Sequence, residues 1–147
     1  VLTGTLPTMK REEAKKLIQV TKECFFEGIK YAKAGNHLFD ISGAIGRYAE
    51  ERGYGVVRDL CGHGIGTALH EAPEIPNYEV GRKGVKLRPG MTLAIEPMIN
   101  IGTYEVDWLD DDWTFVTRDG SLSAHYENTI LITEGEPRIL SLTCDNE

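Results

Sequence analysis

The stretch Asp40–Arg58, DISGAIGRYAEERGYGVVR, contains the point at which the sequence pattern changes from helical to extended. Before Gly53, apolar side chains recur every three or four residues, which is the spacing of one helix face, and Asp40 is the predicted N-cap. After Gly53, the run Gly55–Arg58 has the short, β-branched character of a strand. The stretch therefore predicts a helix that starts at Asp40 and stops at Gly53, followed by the first strand of a sheet.

The same two periods continue in both directions along the chain. Upstream, residues 9–33 carry apolar or small side chains along one helical face, with Thr8 as a candidate cap and Gly35 as a candidate terminator. Downstream, further apolar runs predict strands at residues 92–96, 113–117 and 129–133. Helices followed by strands indicate an α+β fold. The length of 147 residues suits a single domain.

The composition excludes several classes of protein. The chain is 41% hydrophobic and 27% charged, as expected of a globular protein rather than a disordered one. Lys and Arg total 16 against 23 Asp and Glu, and the resulting net charge of −7 argues against nucleic acid or an anionic membrane as a partner. The three cysteines (Cys24, Cys61 and Cys144) are scattered and no apolar run is long enough to cross a membrane, so a cytoplasmic location is expected.

The densest chemical motif is Cys61-Gly62-His63-Gly64-Ile65-Gly66, predicted as a loop, with Leu69-His70-Glu71 just downstream. Its glycines allow close backbone approach, and His63 is suited to metal ligation or acid–base chemistry. Taken alone, His63 is as readily a hydrogen-bonded loop residue. The motif lacks the Lys of a phosphate-binding loop, and His70 lies outside the HExxH spacing, which excludes nucleotide binding and a zincin helix. Cys61 is interpreted as a packing residue.

Two carboxylates stand in apolar surroundings. Glu96 lies in an apolar strand that Pro97 must interrupt or place at an edge, because Pro cannot donate to the ladder. Glu127 comes just before another apolar run. For either Glu alone, an exposed position is the better interpretation. Together with His63, however, Glu96 and Glu127 would offer one nitrogen and two oxygen ligands suited to Mn, Fe, Co or Zn.

The acidic run Asp107–Asp112 invites a calcium assignment but lacks the ligand alternation and central Gly of a calcium loop. It is interpreted as a solvated hairpin tip. Trp113 follows at the start of a predicted strand, where it either joins the core or forms the wall of an apolar substrate pocket.

Five motifs, in order, resemble type I methionine aminopeptidases of the pita-bread fold: Gly62–Gly66, Leu69–Pro73, Leu87–Thr92, Ile95–Met98 and Leu122–Thr129. The resemblance implies half of a pita-bread fold, with two helices followed by a curved antiparallel sheet. It also implies a metallopeptidase that removes the initiator Met from the N-termini of nascent polypeptides. Two divalent ions (Co, Mn, Fe or Zn) would serve the complete site.

The resemblance also implies a role for each matching residue of this sequence. The metal ligands would be His63, Glu96 and Glu127, and Glu96 would in addition move a proton. His70 would be a catalytic residue that contacts the substrate. Leu69 and Trp113 would line the pocket for the Met side chain.

The family has five protein ligands, two of them aspartates upstream of the matched region, so residues 1–147 carry three. We expect these residues alone to hold one metal weakly or none, to be impaired in turnover, and to associate with an upstream half or with a second copy. The family usually has Gln and His at two positions where this chain has His125 and Asn128. This departure concerns contacts around the ligands.

Two other functions fit the same fold. A catalytically inactive pita-bread module would use the cleft to bind peptides, and a prolidase-type peptidase would share the ligand set. The pairing of Trp113 with Leu69 favours a Met side chain. An arginine placed for a substrate carboxylate, which would favour a proline-directed peptidase, is not evident.

Overall fold

A computed structural model describes residues 8–142, with side chains from residue 10 onward. The cap predicted at Thr8 and the thiol of Cys144 therefore lie outside the described side chains. Two helices precede ten short strands, which confirms the α+β prediction. The elements are α1 (Thr8–Ile29), α2 (Leu38–Glu50), β1 (Gly55–Val56), β2 (Gly62–Gly64), β3 (Glu71–Ile75), β4 (Thr92–Ile95), β5 (Met98–Asn100), β6 (Val106–Trp108), β7 (Phe115–Thr117), β8 (Ser123–His125), β9 (Asn128–Leu131) and β10 (Arg138–Ile139).

The strands form three antiparallel groups rather than one continuous sheet. Five strands pair in the order β10-β9-β4-β2-β3, three in the order β1-β5-β8, and β6 pairs with β7 as a hairpin. The chain leaves the five-stranded sheet at Ile95 and enters the three-stranded sheet at Met98. Pro97 lies in the gap, so the strand is interrupted beside Glu96 as predicted, because Pro has no N–H for the ladder.

The helices cover one side of the strands and share a single core with them. Helix α1 packs on α2, and both contact the sheets. The largest fully buried side chains come from all of these elements: Leu17, Phe25, Leu38, Ile41, Ile45, Ile75, Leu87, Leu93, Ile95, Ile99, Ile130 and Ile132. Burying each such side chain contributes about 1.5–3 kcal/mol, so this core is the main stabilising element of the described region.

Two predicted helix boundaries, the start of α2 and the end of α1, need correction. Helix α2 begins at Leu38 with His37 as its N-cap, so Asp40 is the third helical residue rather than the cap. Its carboxylate instead accepts the His37 backbone N–H at 2.8 Å, which satisfies a donor that the helix leaves free. Helix α1 ends at Ile29, well before Gly35. Among residues 8–142, no helix is both long and apolar enough to cross a membrane.

The glycine-rich segment is a strand, not the predicted loop. Residues Gly62–Gly64 form β2 between β3 and β4. A Cβ on Gly62 would overlap the Ala94 carbonyl oxygen, and one on Gly64 would overlap that of Ala72. The glycines therefore do allow a close backbone approach, but the neighbours are the two flanking strands.

Candidate metal centre

The strand register places the three predicted ligands on one face of the five-stranded sheet. His63 in β2 lies opposite Ala94 in β4, and Ala94 lies opposite Thr129 in β9. Side chains two residues apart share a face of a strand, so the face that carries His63 and Ala94 continues to Glu96. By the same rule it continues from Thr129 to Glu127.

Glu96 and Glu127 are brought together because each lies one residue beyond the last paired position of its strand. That last pair is Ile95 with Asn128, and an antiparallel register puts the next residues across from one another. One ligand atom from each of His63, Glu96 and Glu127 lies within 4.8 Å of the other two. The sequence thus folds three separated residues into one N,O,O donor set.

The backbone sets the tautomer of His63. Its Nδ1 lies 2.8 Å from the carbonyl oxygen of Gly64, and because a carbonyl only accepts, Nδ1 carries the proton. In the neutral ring this leaves the lone pair on Nε2, which faces Oε1 of Glu96 at 3.5 Å. The two side chains are only 12% and 14% exposed. Two acceptors facing each other with little access to water are stabilised by a cation, so the residues present fit a divalent metal.

Two further residues contact Glu96. His125, at the end of β8, places Nε2 3.3 Å from Oε2 of Glu96, and this carboxylate raises the pKa of His125 through a hydrogen bond. The buried Asn77 donates its Nδ2–H to the backbone carbonyl of Glu96 at 3.0 Å. In the sequence, His125 stands out only as a departure from the family pattern. Asn77 carries no sequence signal, because a contact across 19 residues depends on the fold.

The predicted substrate-binding residues lie nearer the surface. The ring of His70 lies 4.3 Å, centroid to centroid, from that of His63, which puts it beside the donor set. Leu69 and Trp113 are 68% and 84% exposed. Trp113 is therefore not a core residue, and it precedes β7, which begins at Phe115 rather than at Trp113.

Asn128, the other departure from the family pattern, is buried in β9. Its Oδ1 accepts a hydrogen bond from the Ser141 hydroxyl at 2.8 Å, and that hydroxyl accepts the Thr129 N–H at 2.9 Å. Asn128 thus ties the strand that follows Glu127 to the segment after β10.

The acidic run and Cys61 match the structural interpretations that the sequence favoured over functional ones. The acidic run Asp107–Asp112 is exposed and spans the end of β6 and the hairpin loop. Asp111 accepts the Trp113 and Thr114 backbone N–H groups there. Cys61 is half-buried, and burial raises the pKa of its thiol, as expected for a packing residue.

Comparison with known proteins places this geometry in a family. The profile of metallopeptidase family M24 matches residues 2–134. A methionine aminopeptidase of Clostridium acetobutylicum is 59% identical over 131 residues, which make up 89% of this chain and 52% of that protein. The crystal structure of methionine aminopeptidase from Thermotoga maritima matches with a TM-score of 0.84 at 50% identity, over 87% of this chain and 51% of that one.

A more distant structure shares the fold alone. Prolidase from Pyrococcus horikoshii matches with a TM-score of 0.70 at 24% identity, over 97% of this chain and 34% of that one. The chain belongs to metallopeptidase family M24, and its resemblance to methionine aminopeptidases and to the pita-bread fold is confirmed. It spans about half the length of the curated relatives it matches.

Proposed function

We propose that this chain carries part of the active site of a metal-dependent methionine aminopeptidase, which hydrolytically removes the initiator Met from nascent polypeptides. The observation that carries the proposal is the convergence of His63, Glu96 and Glu127 on one sheet face. The methionine aminopeptidases among its relatives support the choice of reaction. We further propose that these residues supply three of the ligands, and that a complete centre for two divalent ions needs residues outside this chain.

Each residue then has a chemical task. A divalent ion held by His63, Glu96 and Glu127 would acidify a water molecule and polarise the scissile carbonyl. Glu96 has two carboxylate oxygens, one facing His63 and one facing His125. Its carboxylate can take a proton from that water molecule and pass it to the leaving amine. His70, beside His63, donates a hydrogen bond to the carbonyl oxygen as that oxygen gains negative charge. Leu69 and Trp113 supply apolar surface for the unbranched Met side chain.

Metal titration tests this proposal most directly. Calorimetry with Co²⁺ is run on the 147-residue chain alone and with the upstream half of the Clostridium acetobutylicum relative added. We expect the chain alone to bind at most one ion weakly, and the pair to bind two ions and to hydrolyse a Met-first peptide. Glu127→Ala should abolish hydrolysis by the pair, whereas Glu134→Ala, a change of an exposed Glu in a loop, should not.

Two results would contradict the proposal. Tight binding of two ions by the chain alone would show that the ligand count is wrong. A pair that binds a Met-first peptide without hydrolysing it would favour the inactive peptide-binding module. The prolidase alternative is tested by assaying a peptide with Pro in second position beside the Met-first peptide. That alternative predicts faster cleavage of the peptide with Pro in second position.

The cellular setting and self-association belong to the same proposal. Cys24 and Cys61 are free thiols, which suits a reducing cytoplasm. Leu69, Trp108 and Trp113 are exposed apolar side chains that an upstream half or a second copy would cover. Light scattering checks this, since a chain that is monomeric at high concentration would argue against self-association.

A further inference from the structure

The backbone around Glu96 is held by hydrogen bonds from outside the two strands that flank it. Glu96 lies in the gap between β4 and β5, outside both ladders. The Asn77 amide binds its carbonyl oxygen at 3.0 Å, and the carbonyl of Pro97 accepts the Tyr126 N–H at 3.1 Å. Asn77 is only 1% exposed, so this clamp is shielded from water. The orientation of the carboxylate must therefore come from groups that contact its two oxygens.

Two histidines approach that carboxylate from different strands, one for each oxygen. Oε1 lies 3.5 Å from Nε2 of His63 in β2, and Oε2 lies 3.3 Å from Nε2 of His125 in β8. The strand register fixes the second approach, because His125 is paired with Met98, two residues after Glu96. The two contacts differ in kind. In its neutral form His63 presents a lone pair to Oε1, because its Nδ1 faces the Gly64 carbonyl, whereas Nε2 of His125 lies close enough to Oε2 to donate a hydrogen bond.

We propose that His125 is a positioning residue for Glu96. Its Nε2–H donates to Oε2, which leaves Oε1 as the oxygen that faces His63 and the metal. The neutral Nε2–H tautomer and the imidazolium both donate from this nitrogen, so the contact does not depend on the charge of the ring. Hydrogen bonds that orient a ligand typically change metal affinity about 10- to 100-fold when they are lost. This inference rests on the proposed function only in taking Glu96 as a metal ligand.

The test uses two substitutions in the 147-residue chain with Co²⁺ as the probe. His125→Leu removes the donor at similar size, and His125→Gln keeps an N–H donor. We expect His125→Leu to weaken Co²⁺ binding about 10-fold in calorimetry and to change the visible absorption of bound Co²⁺. His125→Gln should stay close to wild type in both measurements. The control His37→Leu removes an imidazole at the start of α2 and should change neither.

A measurement without metal keeps the inference testable if Co²⁺ binds too weakly to measure. Nitrogen-15 NMR of the histidine rings should show a slowly exchanging proton on Nε2 of His125, and Glu96→Ala should abolish it. Free exchange at His125, as fast as at His37, would overturn the inference, as would wild-type Co²⁺ affinity and absorption in His125→Leu. If the contact persists but a Met-first peptide is never hydrolysed, only the proposed function fails.

Discussion

The residues that the family resemblance assigns to one active site are held in two different ways. His63 and Glu96 are largely buried, and the strand register brings them together with Glu127, which is exposed. Leu69 and Trp113, assigned to the substrate pocket, are exposed on connecting segments. Paired strands thus bring the candidate ligands together within the described residues. The candidate pocket residues lie on connecting segments and stay exposed there.

The largest effect is expected where the strands come closest. Gly62→Val puts a Cβ onto the Ala94 carbonyl oxygen and adds two methyl groups, so β2 and β4 would have to separate beneath the candidate ligands. We expect a loss of about 4 kcal/mol in the free energy of unfolding, measured with urea. Gly135→Val is the control, because nothing lies within 4 Å of a Cβ there. Equal stability of the two variants would show that the sheet does not depend on this approach.

A smaller loss is expected from the core under the sheet. Ile130 in β9 is fully buried opposite Leu93, on the face away from the ligands. Ile130→Ala should lower the free energy of unfolding by about 3 kcal/mol, since it removes buried methyl groups and leaves a cavity. Val116→Ala, in the exposed hairpin, removes a β-branched side chain without a cavity and should have little effect. If Val116→Ala lowered the free energy of unfolding as much as Ile130→Ala, the sheet and the hairpin would not differ in their contribution to stability.

The turn after the hairpin offers a test with pH. A hydrogen bond from the Ser121 side chain, together with the Thr103 and Ser121 backbone N–H groups, lowers the pKa of Asp119 from its usual 3.8 to about 2. A lowered pKa means that the carboxylate stabilises the folded chain above pH 4, and that this contribution disappears as the pH falls toward 2. Asp119→Ala should therefore destabilise the chain slightly at pH 5 and less at pH 2.5.

Thermal unfolding at both pH values measures this difference. Asp110→Ala, a change of an exposed Asp in the hairpin loop, serves as the control and should not show the same pH dependence. An effect of Asp119→Ala that is constant with pH would contradict the assigned hydrogen bonds.

The smallest effect on stability is expected at Trp113. Since its side chain is almost wholly exposed, Trp113→Ala should change the free energy of unfolding by less than about 0.5 kcal/mol. Trp108→Ala should cost about 1 kcal/mol, because Trp108 stacks on Phe115 with ring centroids 5.3 Å apart. If Trp113 lines the Met pocket, only its substitution should also weaken Met-peptide binding in the complemented enzyme. A stability loss at Trp113 that matches the one at Trp108 would mean that Trp113 packs within this chain.

The sequence was sufficient for the two helices and for the strands that contain long apolar runs, because these follow from short-range patterns. The set His63, Glu96 and Glu127 was predicted from residue chemistry and from the family resemblance, and the fold brings its members together. Helical spacing before Gly53, β-branched runs after it and a Glu beside Pro97 are readable without a structure. The exact start of helix α2 was harder to predict, because more than one residue near it can accept a backbone N–H. Asp40 looks like an N-cap, but its carboxylate satisfies His37 from inside the helix.

The long-range arrangement was not readable in the same way. The glycines around His63 suggested a loop, whereas they serve strand packing, and that distinction depends on Ala94 and Ala72 from distant parts of the chain. The contact of Asn77 with Glu96 was invisible for the same reason. Whether Leu69 and Trp113 enclose a substrate depends on surfaces that residues 8–142 do not contain.

The alternation of side chains in β4 and β9 has an evolutionary consequence. Leu93, Ile95 and Ile130 hold the core from one face, while Glu96 and Glu127 continue the other face. Substitutions at Glu96 and Glu127 would change the proposed metal chemistry without opening a cavity among Leu93, Ile95 and Ile130. A lineage with this sheet can therefore exchange ligands and the residues around them, His125 included, while selection for foldability acts on a different set of positions.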